Sequence, residues 1–439
     1  MLSYFKIKNF KSIVEEEISF EFNQRKPNGY NSDYEEQLFL QEGRNRFVPI
    51  SAFWGANASG KTNIIKALNV FKKIFQDGIY SIDGSTGYFY PNKLHEELNS
   101  TYFEISVKIN KKLYTYLFEY NTKIVKEIFL VNKKVIFSID NNKSNFNNIS
   151  KENTLFDNKN LKNFLEKSCL RDNEQIFLFL TKIITNYPSF NNDINNFFQF
   201  ISKQLRIFSI NNFPSGLAIN LLSEKNNPDN LQCAFDKIAT ILQKLDISIS
   251  KMTFRRDTEK LDNDLSITKN EYNNFDCIGL NTKTQMLELD TITTYHKNIN
   301  NKDIAFKFRE DESEGTKILF GLIGIILKTL DDGAVLVIDE LERSLHPLIL
   351  IAIIKMFKSK YWNKNNAQLI FTTHNTDVLD DNILKITEIN IVKKTLKYGT
   401  KVARLNEYKN ENGEKIRNVI NFRKQYLAGL YSGIPFTTI

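Results

Sequence analysis

The stretch Trp54 to Thr62, WGANASGKT, constrains this chain more than any other. Its run Gly55-Ala56-Asn57-Ala58-Ser59-Gly60-Lys61-Thr62 satisfies the phosphate-loop pattern G-x-x-x-x-G-K-[ST] in full. Such a loop works where a buried strand feeds a tight turn that opens into a helix, because loop N–H groups and the helix N-terminus must converge on one anion. The flanks comply: FVPISAFW reads as a buried strand, and TNIIKALNVFKKIF carries apolar residues at helical spacing. The glycines let the backbone curl, Lys61 offers a point charge to the β and γ phosphates, and the Thr62 hydroxyl is placed to ligate Mg²⁺. The expected ligands are ATP and Mg²⁺.

A phosphate loop needs a second metal ligand, commonly a carboxylate at the end of a buried strand. AVLVIDE, Ala334 to Glu340, supplies one: its apolar run suits a parallel strand buried on both faces, with Asp339 at its end as the metal ligand. In a strand the adjacent Glu340 points elsewhere, which suits it to orient or deprotonate an attacking water. A third strand, AQLIFTTH, ends in His374, whose imidazole could contact the γ-phosphate or that water. The catalytic set read from the sequence is therefore Lys61, Glu340 and His374. Trp54 could serve as a base-stacking platform, but burial at its strand end is the commoner fate of a tryptophan.

The rest of the chain reads as three segments. Residues 1–140 form one lobe, with two N-terminal strands, the phosphate loop, and an antiparallel meander of four strands over 101–139. Residues 141–245 read as a mostly helical insertion, with clusters such as IFLFLTKIIT and INNFFQFISKQL and then the helix LQCAFDKIATILQKL. Residues 246–439 complete the head, through strands at ISISKMTF and IAFKF and then the site motifs. The fold class expected is α/β: a P-loop ATPase head with a mixed sheet, an antiparallel lobe and a helical insertion.

Net charge is +8, spread over 59 basic and 51 acidic residues. Nucleic acid is thus compatible as a partner without being required. The densest basic run, KKTLKYGTKVAR from Lys393 to Arg404, reads as an edge hairpin with its charges on the solvent face. Cys169, Cys233 and Cys277 lie far apart with no C-x-x-C pair, which fits a reduced, cytoplasmic protein. No membrane span is expected: the N-terminus has charges inside its apolar run, and Ile318 to Leu327 has about half the length needed to cross a bilayer. That apolar run reads as a buried core helix.

Four segments in order, WGANASGKT, DESEGTKILF, AVLVIDELERSLHP and QLIFTTHNTDVLD, resemble the ABC-type ATPases of the SMC, RecF and OLD (overcoming lysogenization defect) group. More narrowly they are similar to the small AAA/ABC ATPases of bacterial anti-phage systems. FKIKNFKSI, ILQKLDISISKM and YLAGLYSGIP share the likeness, which leaves about 141–230 and 258–300 outside it. The resemblance implies a head domain whose site is completed by a second copy, in a homodimer or higher even-numbered oligomer. The segment Ser313-Glu314-Gly315-Thr316 would then face the γ-phosphate held by the partner, whereas on its own ESEGT reads as an ordinary N-cap. Ser344 and His346 in SLHP resemble the D-loop along such a seam.

The chain also departs from the group. No Q-loop glutamine is evident after the first helix, with Asn92 as a stand-in, and Ala58 stands where SMC and RecF relatives have Gly. The insertion is too short and irregular for SMC arms. The 65 residues after His374 are fewer than a Toprim nuclease needs. The resemblance therefore implies an ATP-driven switch in anti-phage defence that works through a separate effector protein, a nuclease. Two rivals stay open: a RecF- or SMC-like DNA repair ATPase, and a toxin with a nuclease site around Arg255, Arg256, His296 and Lys297.

Overall fold

The computed structural model describes residues 1–22, 40–42, 45–79, 87–95, 97, 99–140, 143–145, 175–178, 180, 192–209, 215–223, 228–245, 247–260, 275–281, 286–343, 345–380, 382–395, 397, 399–408 and 422–431. The chain divides into two compact units, Met1–Ile207 with Asp332–Ile439, and Phe208–Asp331. These cut the chain at 207/208 and 331/332, whereas the sequence segments cut it at 140/141 and 245/246.

The first unit is built on a 13-stranded sheet in the order β11-β10-β9-β8-β7-β1-β2-β20-β19-β6-β18-β17-β12. Its antiparallel part comprises β1 (Leu2–Phe10), β2 (Ile13–Ser19), β7 (Thr101–Ile109), β8 (Lys112–Tyr120), β9 (Ile124–Val131), β10 (Lys134–Asp140) and β11 (Lys143–Asn145). Three short strands, β3 (Glu21–Phe22), β4 (Leu40–Glu42) and β5 (Asn45–Phe47), form a separate small sheet. The expected meander is present, and its turns have a local cause. Asn110-Lys111 and Asn132-Lys133 hold φ of 49° and 67°, and 48° and 66°, at both central positions, the left-handed pair that matches hairpin twist.

The other part comprises β6 (Ile50–Trp54), β12 (Leu205–Ser209), β17 (Val335–Asp339), β18 (Gln368–Thr372), β19 (Ile389–Thr395) and β20 (Gly399–Arg404). β19, β6, β18 and β17 run parallel, and β6, β17 and β18 are buried almost throughout, as continuous apolar runs require. The parallel register brings the C-terminal ends of β6, β18 and β17 to one edge, with Thr372 beside Phe53 and Ile338 beside Phe371. That edge is where ligands bind in parallel α/β sheets.

Helix α1 (Lys61–Asp77) packs its buried face, including Ile64, Leu68, Phe71 and Phe75, on the meander. Phe71 and Phe75 meet Tyr116 at ring-centroid distances of 6.1 and 5.6 Å. The α2 helix (Asn192–Gln199) follows, with a π-helical turn at Phe200–Gln204, and the chain then enters β12 at the edge of the sheet. The insertion thus returns to the sheet as a strand; IFLFLTKIIT lies outside the described residues except at 176–178 and 180. The Lys393–Arg404 hairpin differs from expectation more plainly. It is interior: β19 pairs with β6 and β20 is next to β2.

The second unit holds α3 (Ser215–Ser223), α4 (Pro228–Lys244) and a sheet of β13 (Ile249–Lys260), β15 (Met286–Lys297) and β14 (Cys277–Asn281), with β16 (Asp303–Lys307) also on β15. After α5 (Phe308–Asp311) comes α6 (Glu314–Asp332), buried from Leu319 to Leu330, so the apolar run is a core helix as expected. Among the described residues no helix is long and apolar enough to cross a membrane.

Candidate nucleotide site

The strand β6 ends in Trp54, which is fully buried, donates its indole N–H to Asn375 O at 3.1 Å and packs edge-on against Phe371. The tryptophan anchors the strand end and is not a base platform. Beyond it the loop turns through Ala58 at φ 60° and Gly60 at φ 107° before α1 begins. Glycine at 60 is required twice over: the left-handed backbone disfavours a side chain, and a Cβ there would lie 2.0 Å from Thr400 Oγ1. Gly55 is equally confined, its missing Cβ 2.2 Å from Val392 O.

Lys61 is only 6% exposed and donates to Gly55 O at 2.7 Å and Ala56 O at 3.1 Å. Burial lowers its pKa to about 8, against the opposing pull of Glu342, Asp339 and Glu340. Within the same site Thr62 Oγ1 lies 3.4 Å from Asp339 Oδ1. One hydroxyl and one carboxylate at that separation suit neighbouring positions on Mg²⁺, which takes few protein ligands and completes its octahedron with phosphate oxygens and water. When bound, the ion held by Thr62 and Asp339 would offset the negative charge of the phosphates.

Thr372, fully buried at the end of β18, carries a role the sequence reading missed. Its hydroxyl donates to Asp339 Oδ1 at 2.6 Å and accepts from Glu340 N at 2.7 Å. A hydroxyl at the last position of an otherwise apolar buried strand is the weak signal that could have marked it. Glu340 lies beyond β17 in a turn with φ 55°, so a left-handed residue, rather than strand alternation, separates its direction from that of Asp339. Glu342 was missed as well: Oε1 accepts from His374 N at 2.6 Å, and Oε2 is buried with no hydrogen-bond partner among the described residues. His374 is partly exposed; partial desolvation of its ring and the Lys61 charge lower its pKa, which favours the neutral imidazole at pH 7.

These parts surround one cleft of about 320 Å³, lined by residues 57–63 of the loop and helix start together with Ser12, Glu340, His374 and Lys394. Asn92 is not among them: it is buried, accepts from Leu94 N at 2.9 Å and closes its own loop. The Ser313–Thr316 segment belongs to the second unit. Ser313 Oγ accepts from Thr316 N at 3.1 Å, capping α6, while Ser313, Glu314 and Gly315 are exposed and Thr316 is buried. Glu314 pairs with Lys317 at 2.9 Å. His346 Nδ1 accepts from Leu348 N at 3.3 Å and caps α7 (Pro347–Lys358); Ser344 lies outside the described residues.

The residues suggestive of a nuclease are each engaged with carboxylates. Arg256 grips Asp290 at 2.6 and 2.8 Å and Glu288 at 2.8 Å. Arg255 pairs with Asp257 at 3.0 Å, His296 with Glu312 at 2.7 Å and Lys297 with Asp303 at 3.0 Å.

Comparison with solved structures returns SMC heads. An SMC head domain from Thermotoga maritima matches with TM-score 0.40 and 15% identity over 92% of this chain and 98% of that chain. An SMC head bound to the C-terminal winged-helix domain of ScpA matches with TM-score 0.41 and 13% identity over 92% and 97%. An Smc head with an extended coiled coil, bound to the C-terminal domain of ScpA derived from Pyrococcus furiosus, matches with TM-score 0.39 and 14% identity over 92% and 95%. No curated protein matches. The family model described as "AAA domain, putative AbiEii toxin, Type IV TA system" matches residues 50–381, a span that runs from the strand before the phosphate loop to beyond His374. With the loop, its carboxylate strand and the third strand all inside that match, the chain belongs to this AAA-domain family.

Proposed function

We propose that the chain binds ATP with Mg²⁺ in this cleft, hydrolyses it, and needs a second copy to complete each site. The convergence of Lys61, Thr62, Asp339 and Glu340 at one sheet edge supports the first part. Glu340 takes a proton from water as its oxygen attacks the γ-phosphorus; the bond from that phosphorus to the bridging oxygen breaks, and ADP departs with the bridging oxygen. Lys61 and a helix N-terminus hold the phosphates, and neutral His374 can hydrogen-bond the γ-phosphoryl group or the water.

The observation that carries the second part is Gly315. A Cβ there would meet nothing among the described residues closer than Ser313 Oγ at 3.7 Å, and its φ is not left-handed, so nothing among the described residues requires glycine. Glycine is also a poor helix former, roughly 1 kcal/mol below alanine in a helix interior. A close approach by another molecule to the exposed Ser313-Glu314-Gly315 N–H groups accounts for it. ATP would then join two copies through its γ-phosphate and ADP would not, which makes binding the switch and hydrolysis its reset.

On this reading the switch serves anti-phage defence through a separate nuclease, a role that the four-motif resemblance supports. The test is size and turnover. Glu340→Gln should bind ATP and accumulate as a closed dimer or larger assembly, while Lys61→Ala should not bind. Mixing Lys61→Ala with Ser313→Arg should restore one good site in two; no recovery between subunits shown to exchange refutes the composite site. Copurification identifies the effector, and salt-sensitive DNA binding with DNA-stimulated hydrolysis would favour a repair ATPase instead.

A further inference from the structure

The β19–β20 hairpin, expected at an edge, instead forms one wall of the cleft. Ile391 of β19 lies beside Trp54 in parallel register, so the end of β19 runs alongside the phosphate loop. Across the hairpin Lys394 is paired with Thr400. Directly paired residues in an antiparallel ladder project from the same face. The face is identified by Thr400, whose hydroxyl donates to Ser59 O at 3.0 Å. Behind it runs a directed chain: Asn63 Nδ2 donates to Ser12 Oγ at 2.7 Å, and Ser12 Oγ meets Thr400 Oγ1 at 2.7 Å. Lys394 therefore stands on the side of the hairpin that holds the loop, and it lines the cleft.

Its environment differs from that of Lys61. Lys61 is buried and already donates to two loop carbonyls, whereas Lys394 is exposed and has no hydrogen bond or ion pair among the described residues. Two other basic residues of this hairpin are engaged: Lys401 pairs with Glu16 at 2.7 Å, and Arg404 bonds Ser19 O. An unengaged ammonium at the mouth of a phosphate loop, held on a hairpin locked to that loop, is arranged for an anion.

We propose that Lys394 is a second phosphate-binding cation, which contacts the polyphosphate of the bound nucleotide from the wall opposite the Glu340 and His374 side chains' strands and adds charge that Lys61 alone does not supply. The inference rests on the nucleotide reading of the cleft. It predicts that the site grips the polyphosphate itself, apart from the nucleoside.

The test uses the full chain and two probes, ATP and inorganic tripolyphosphate, in equilibrium binding at fixed ionic strength. Lys394→Ala is expected to weaken both probes about tenfold, Lys394→Glu to weaken both further, and Lys394→Arg to stay within about twofold of wild type. Because Lys394 is exposed, thermal midpoints should not move. Wild-type affinity in both Lys394→Ala and Lys394→Glu, with Lys61→Ala defective, overturns the role of Lys394 and leaves the nucleotide site standing. Loss for ATP with tripolyphosphate binding unchanged overturns it too, since the contact would then be to the nucleoside. A wild-type chain that binds neither probe overturns both readings together.

Discussion

Replacing Thr372 with valine tests how the acidic side of the cleft is held. Valine has nearly the same shape, so the change removes a hydroxyl without leaving a hole. Two partners lose it: the Asp339 carboxylate, 2.6 Å away, and the Glu340 N–H, 2.7 Å away. A hydrogen bond to a charged group contributes about 1.5–3 kcal/mol, and an unsatisfied buried N–H costs about 1–3 kcal/mol. Asp339 is only partly buried and can turn to water or Thr62, which offsets part of the first loss. The net destabilisation expected is about 2–4 kcal/mol. Both tryptophans, Trp54 and Trp362, lie in the first unit, so urea unfolding followed by tryptophan fluorescence reports that unit separately. Function should suffer as well. The Thr372 hydroxyl pins the left-handed turn at Glu340, so turnover should drop about tenfold or more while ATP affinity, set by the loop, changes little. Thr372→Ser keeps the hydroxyl and should recover both. A valine variant with wild-type turnover and stability within about 0.5 kcal/mol would refute the reasoning.

Three further outcomes follow from the geometry. Gly60→Ala should abolish ATP binding and destabilise the first unit by about 2 kcal/mol or more in the same fluorescence assay, because φ is 107° and the new methyl meets Thr400. Lys61, with its pKa lowered to about 8, should take up a proton when phosphate binds above that pH. ATP affinity should therefore fall by up to tenfold per pH unit from about 8 towards 10.5, and calorimetry in buffers of different ionisation enthalpy measures the uptake. Glu127, buried on β9 and accepting from Tyr116 Oη and the Ile176 and Phe177 N–H groups, has its pKa raised to about 7 by burial. Its folded form binds the proton more tightly, so its contribution is full below about pH 4.5 and is lost as pH rises through 7. Glu127→Gln should remove up to about 1.4 kcal/mol per pH unit of that slope in urea titrations.

The legible part of this site is the part that a local sequence pattern marks. The phosphate loop, the carboxylate ending an apolar run, and the helix opened by Lys61 are each fixed by local chemistry. Thr372 and Glu342 act only through contacts between the end of β18 and the turn after β17, 33 and 32 residues apart in the chain, and Lys394 only because β19 returns to the phosphate loop, as the Ser59–Thr400 contact does across 341 residues. Nothing in the residues around them encodes that register. The hairpin error has a different origin. Charges on alternate positions report that one face of a ribbon meets water, and that pattern is the same whether or not its backbone edges are paired. β19 and β20 are paired on both sides, so their polar face is not an edge but a wall. One end of that wall meets the phosphate loop through Thr400, and there a lysine that looked like solvent-facing ballast becomes a charge with something to hold.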